Sequence, residues 1–206
     1  MRALQYRDCA RQVQAQTIAL IQQQLRPRDF SRRCSAWQLL SSLVLATACC
    51  LSLSAVAAVR RRSPSRATLF QAWYATLPNY ERLLAAVPRL LRASLPRGLR
   101  RRGGRRRYPL AIDLHAVAYY KRQRTPPAPV RKGKCLPGTA YAHQYATACL
   151  LRKGQYYTVA LTPYYPGEDL ASLVRRLLQQ AARHGFPPRY VLMDRGFWSA
   201  DVFRYL

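Results

Sequence analysis

The sequence predicts a mixed chain, α+β or α/β in class: a helical N-terminal region followed by a mixed sheet with helices. Three observations point there. Up to about Leu95 the apolar residues recur at helical spacing between Ser and Pro punctuation; after Tyr108 they alternate as in strands; between the two lies an Arg- and Gly-rich stretch unable to form a core. The organisation read from this is 1–96 helical, 97–107 a linker and 108–206 the sheet-bearing part.

Residues 1–30 carry Leu4, Ile18, Leu20, Ile21 and Leu25 among many Gln, which predicts a short polar helix closed by Pro27. Residues 37–51 read as an apolar helix, with Ser52 and Ser54 as fresh N-caps before a helix over 55–60. Ser63 then offers a cap with Pro64 at the first helical position, followed by Leu69, Phe70 and Trp73 at helical spacing. Helix, tight turn, helix is the arrangement of a helix-turn-helix. In that reading Arg66 and Gln71 face a major groove, Leu69 and Trp73 hold the helix on its partner, and Arg60, Arg61 and Arg62 lie near phosphates. A structural helical hairpin explains the same pattern. Residues 80–95 form a further Leu-rich helix, cut by Pro88. Residues 96–107 hold seven Arg and three Gly. They read as a flexible connector in which Arg100, Arg101, Arg102, Arg105, Arg106 and Arg107 clamp phosphates.

The period then changes. Residues 108–120 (YPLAIDLHAVAYY) alternate as a strand with Asp113 in the middle, and 122–134 form a Pro-rich basic loop. In that loop Arg131, Lys132 and Lys134 are phosphate contacts or simply solvated. Residues 141–151 and 156–163 are two more strands joined by a hairpin turn at 152–155. Residues 168–184 are an amphipathic helix with Glu168 and Asp169 at its start, His184 in its last turn and Gly185 just beyond. Residues 189–194 (RYVLMD) are a short buried strand, and Ser199 caps a last helix.

Charge decides the class of partner. The 206 residues carry 35 Lys+Arg against 8 Asp+Glu, a net charge of +27. A generic metabolic enzyme is excluded as the default reading, and a polyanion is called for, nucleic acid before an anionic membrane surface. Residues 1–107 hold +18 of the excess and 108–206 the remaining +9. Arg outnumbers Lys by 31 to 4; the planar fork suits phosphate, and GC-rich codon usage gives the same bias. Six cysteines show no C-x-x-C pair and read as reduced thiols. The N-terminus lacks the apolar core of a signal peptide. Residues 36–59 contain no charge over 24 positions, the length of a membrane span. Their Ser, Thr and Gln content and the basic residues at both ends favour buried helices instead, with no membrane partner.

The order β-β-β-α-β, with an acid in the first strand and another ending the fourth, is that of a ribonuclease-H-like fold. Residues 111–115 (AIDLH), 143–148 (HQYATA) and 192–199 (LMDRGFWS) together resemble insertion-sequence transposases of the DDE class, the last motif being similar to that of the IS-four-like group. The resemblance covers 108–206 well and 36–95 loosely. It implies a partial ribonuclease-H-like catalytic domain performing metal-dependent DNA strand cleavage and transfer in transposition. Mg²⁺ or Mn²⁺ is the implied cofactor, transposon ends and target DNA are the partners, and a homodimer is a further expectation.

Asp113 and Asp194 are the expected catalytic and metal-binding residues, Asp113 bridging two ions and Asp194 completing one shell. Their separation of 81 residues leaves room for two strands and a helix. An acid buried in an apolar strand is tolerated only when paired or metal-bound. His115 shares Asp113's face and reads as a contact to metal-bound water, to DNA or to a neighbouring ligand. Arg195 reads as a contact to the scissile strand or as a partner of Asp201. Glu168 and Asp169 are expected to stabilise a helix N-terminus, with Asp201 a first-turn acid and His184 a last-turn cation. The family carries a third acid, usually Glu, on a later helix. This chain ends 12 residues past Asp194, so the expectation is an incomplete copy, with Glu168 the first substitute for the missing ligand. The alternative is a non-catalytic DNA-binding protein, and a third reading is a small membrane protein spanning at 36–59. The expected location is the cytoplasm, with the nucleoid.

Overall fold

In the computed structural model, which describes residues 2–30, 32–60, 63–102, 106–120, 130–136 and 138–206, the N-terminal helices start where side chains take up the free N–H groups of a first turn. Helix α1 (Arg2–Leu25) precedes α2 (Ala36–Ala48), α3 (Leu53–Val59), α4 (Arg66–Thr76) and α5 (Tyr80–Ser94). Ser35 and Gln38 form a reciprocal capping box at α2: the Gln38 N–H donates to Ser35 Oγ at 3.2 Å and the Ser35 N–H to Gln38 Oε1 at 2.9 Å. Asp29 Oδ1 accepts from the Ala36 N–H at 2.6 Å. Ser52 caps α3 through the Ala55 N–H at 3.1 Å, as its spacing predicts.

Helix α4 departs from the sequence reading. Its cap is Ser65, which accepts from the Thr68 N–H at 3.2 Å, while Ser63 and Pro64 stay outside the helix. The residues that seat it are Leu69 and Ala72, both fully buried; Trp73 is 38% exposed and does not anchor the helix. Cys34, Leu39, Leu53, Leu69 and Ala72 form the local core. Pro88 does not cut α5, which runs through it; the missing N–H removes one backbone bond without ending the helix.

The chain divides into two units, Met1–Leu90 and Leu91–Leu206. The boundary therefore falls before the Arg-rich stretch, which is not wholly a connector: Arg97–Arg102 is helix α6, and Leu99, 2% exposed, belongs to the core of the second unit.

The second unit is built on a mixed sheet of five strands: β1 (Tyr108–Ala118), β2 (Val130–Leu136), β3 (Thr139–Arg152), β4 (Gln155–Pro163) and β5 (Pro188–Met193). Strand β2 stands where a Pro-rich loop was expected at 122–134. Its Val130 is buried and pairs with His143, which overrides the composition of the segment; residues 121–129 lie outside the described residues. Strands β3 and β4 form a hairpin whose turn holds Lys153 and Gly154 at φ of 49° and 73°, the left-handed pair that matches strand twist. Strand β1 pairs antiparallel with β3 on one side and parallel with β5 on the other. A parallel neighbour requires a crossover, supplied by α7 (Leu170–Arg183).

The apolar stripe of α7 (Leu173, Val174, Leu177, Ala181) packs with Leu110, Ile112, Ala146, Ala148 and Leu150 in one core. That core covers one face of the sheet; alternation turns Asp113, His115 and Val117 to the other, where they are exposed. Strand β5 was expected to be buried. It pairs only with β1 among the described residues, and Tyr190 and Leu192 are each 51% exposed. A short 3-10 turn (Arg195–Phe197) and α8 (Ala200–Tyr205), capped by Ser199 as expected, follow.

Candidate active site

The parallel register of β1 and β5 pairs Ile112 with Met193. Asp113 is the next residue on β1 and Asp194 the first residue past the end of β5, so two carboxylates 81 positions apart in sequence start from neighbouring points of the chain. Met193 packs against the core with Ile112; the acids following them therefore leave on the opposite, open face. The side chain of Asp113 is 63% exposed, so the expectation of a buried acid, tolerated only through pairing or metal, does not hold: water can solvate this carboxylate.

Each acid is oriented locally. Asp113 Oδ1 accepts from the Leu114 N–H at 2.8 Å, and its Oδ2 lies 3.7 Å from His115 Nε2. The same His115 nitrogen is 3.0 Å from Oγ1 of Thr147, the residue paired with Asp113 across β1 and β3. One ring nitrogen faces both partners, so His115 cannot relay a proton between them as a histidine does when its two nitrogens face base and nucleophile. Asp194 caps the 3-10 turn, accepting from the Gly196 N–H at 2.9 Å. A Cβ at Gly196 would stand 3.0 Å from Asp194 Oδ1, so the glycine keeps that carboxylate uncrowded. Thr147 and Gly196 are the site residues that spacing alone does not single out; Thr147 lies inside HQYATA and Gly196 inside LMDRGFWS, and only the register and the turn give them roles.

Two carboxylates on an open face suit a hard divalent cation, which keeps several waters and takes one or two carboxylates together with substrate phosphates. Among the described residues no group of three or more His, Cys, Asp or Glu side chains gathers to hold a metal ion. Two aspartates are oxygen donors of the kind that Mg²⁺ or Mn²⁺ takes, and their number and chemistry are not those of a closed zinc site.

Glu168 joins no group of three ligands among the described residues and is not the residue that caps α7. Its carboxylate is paired with the Arg176 guanidinium, Nη2 donating to Oε2 at 2.9 Å, and it accepts from the Tyr165 N–H at 3.1 Å. Asp169 does cap α7: the Ser172 N–H donates to its Oδ1 and the Ser172 hydroxyl to its Oδ2, both at 2.7 Å. These bonds hold its carboxyl below the ordinary range. His184 donates from Nδ1 to the Val159 carbonyl at 2.7 Å, tying the end of α7 to β4. Asp201 pairs with Arg204 at 3.4 Å and not with Arg195, which is exposed one residue beyond Asp194.

The basic residues divide. Arg60 folds back on α2, its guanidinium 5.6 Å from the Trp37 ring centroid, and Arg66 lies 5.9 Å from that of Phe70. Gln71, Arg100, Arg106, Arg107 and Lys132 are exposed. Arg131 is not a loop cation: it donates to the Tyr165 carbonyl at 2.6 Å and stacks 3.6 Å from the Tyr164 ring centroid. Arg61, Arg62 and Arg105 lie outside the described residues, as do the side chains of Arg101, Arg102 and Lys134. No helix among the described residues is long and apolar enough to cross a membrane; α2 and α3, which share the uncharged stretch, meet at 108°.

Comparison with family models, curated proteins and solved structures finds no match to this chain. The functional reading therefore rests on the geometry of the sheet and its two acids.

Proposed function

We propose that this chain acts on DNA by metal-dependent phosphoryl transfer, as a transposase of the DDE type with a ribonuclease-H-like second unit. The observation that carries the reading is the placement of Asp113 and Asp194 one residue beyond a parallel-paired position on β1 and β5. The sheet order β2-β3-β1-β5, with β4 also pairing β3, antiparallel until the α7 crossover and parallel after it, is compatible with the same fold reading.

Asp113 and Asp194 would hold Mg²⁺ or Mn²⁺, which when bound supplies Lewis-acid stabilisation of a phosphoryl transition state and a more acidic water. The chain's own contribution is positional. The Leu114 and Gly196 N–H groups fix one oxygen of each carboxylate, and His115 stands beside the second oxygen of Asp113. Arg195 places a fixed positive charge beside Asp194 for the scissile phosphate. The exposed Arg and Lys side chains hold the flanking backbone, and the nucleoid is the proposed location.

A labelled duplex carrying the element's own ends, incubated with Mn²⁺, tests this. Nicking or strand joining that disappears in both Asp113→Asn and Asp194→Asn supports it. A second reading, DNA binding without catalysis, is favoured by the lack of a third carboxylate beside the pair among the described residues. Duplex binding without nicking under any divalent ion would decide for it.

A further inference from the structure

The first unit carries a groove of about 610 Å³ whose arginines the sequence reading does not single out, and the inference drawn from it rests on the DNA-binding part of the function proposed above. It is walled by the end of α1 with the residues that follow it, by the end of α4, and by one side of α5. Four arginines line it: Arg26 and Arg28 from the first wall, Arg82 and Arg89 from α5. All four are exposed, no acid lines the groove, and none of the four belongs to an ion pair among the described residues. The floor, Leu25, Leu77, Pro78, Ala85 and Ala86 among others, is uncharged.

Helix ends account for part of this. The carbonyl ends of α1 and α4 point to cations, and Arg26 and Arg28 follow α1 directly. Arg82 and Arg89 have no such explanation. They are seven residues apart on α5, and so on one face, and both line the same concavity. Four like charges around one concave surface repel one another unless an anion lies among them. A single phosphate, carrying at most about two charges, leaves two of the four unmatched; a chain of phosphates matches all of them. We propose that this groove binds the phosphodiester backbone of a nucleic acid, at a place separate from Arg60–Arg62 and from the outward side of α4. The guanidinium fork fits phosphate oxygens two at a time, and the floor of small side chains lets a backbone approach closely.

The test is a salt series of anisotropy measurements on the full chain with a fluorescent duplex, in a chelator so that Asp113 and Asp194 contribute nothing through metal. Arg26→Gln with Arg28→Gln, Arg82→Gln and Arg89→Gln should reduce the slope of log affinity against log salt by about 3 to 4 units, at roughly 0.9 per phosphate. Arg82→Gln with Arg89→Gln alone should take about half of that, and serves if the fourfold variant loses its circular dichroism spectrum. A charge-matched control, Arg11→Gln with Arg32→Gln, Arg152→Gln and Arg183→Gln, should change the slope by less than half as much as the groove variant. Equal losses in both sets would overturn the proposal, since net charge alone would then explain binding. It would also be overturned if poly-L-glutamate of matched charge, or equal-part phosphatidylserine and phosphatidylcholine vesicles, bound the wild type as tightly as the duplex does and lost as much affinity in the groove variant, since the groove would then select negative charge and not a phosphodiester backbone.

Discussion

His143 shows how a single side chain sets a pH limit in this molecule. It stands in the first half of β3 between Tyr119, edge-on at 5.4 Å between ring centroids, and Tyr145, stacked at 6.4 Å. Its Nδ1 is buried with no hydrogen-bond partner among the described residues. Burial lowers its pKa, because the charged ring loses water that neither tyrosine face replaces. The folded form thus binds its proton less readily than the unfolded chain, whose histidine titrates near about 6.5. The stability this group contributes is complete above that value and is lost as pH falls through it toward the lower folded pKa. His143→Phe should therefore flatten the fall in melting temperature below about pH 6.5, and an unchanged pH profile would show that the ring is solvated in solution. The same scale shows what single residues conceal. Leu99 sits among arginines that read as solvated, yet it is core, because one apolar side chain in a charged helix leaves no periodic trace. The place of Asp113 in a strand was legible, while its exposure was not, since alternation says which residues share a face and not which face is covered.

Among elements, the helices were the most legible, because a cap and its spacing are local chemistry. Ser52 and Ser199 stand where the sequence puts them. The start of α4 slipped by two residues since Ser63-Pro64 and Ser65 both satisfy the cap pattern, and only one hydroxyl can reach a free N–H. The two serines should consequently behave in opposite ways. Ser65→Ala should cost about 1 kcal/mol, the usual loss for a removed cap. Ser63→Ala should be neutral or slightly stabilising, because the Ser63 hydroxyl is buried without a partner among the described residues, and removing it relieves a desolvated group. Denaturant midpoints of the two variants measure this; a larger loss at Ser63 would return the cap to the earlier position. Strand β2 was invisible for the contrary reason. Its pairing partner, β3, is supplied from elsewhere in the chain, and a Pro-rich approach hides the strand.

At the scale of the whole molecule, the acid pair is a product of topology and not of either strand. Carboxylates brought to neighbouring points repel one another, and a hard cation relieves that repulsion in the folded state alone. Mg²⁺ or Mn²⁺ should raise the melting temperature of the wild type, and Asp113→Asn should remove the shift while leaving the metal-free melting temperature near the wild-type value. A metal-induced rise that persists in the variant would place the ion elsewhere. The parallel pairing of β1 with β5 carries a further consequence, in time rather than in space. The β3–β4 hairpin closes a turn of a few residues and can form within microseconds, whereas β5 must return to β1 across about eighty intervening residues. Loop closure of that length is met late, so the two aspartates become neighbours only near the end of the folding reaction. The same strand, like β2 and β4, is held by a single neighbour among the described residues, and is expected to exchange its amide hydrogens sooner than β1 and β3. Opening of that strand would part the two acids and at the same time withdraw Val191 and Met193 from the core, so the acid pair should come and go with the last piece of packing.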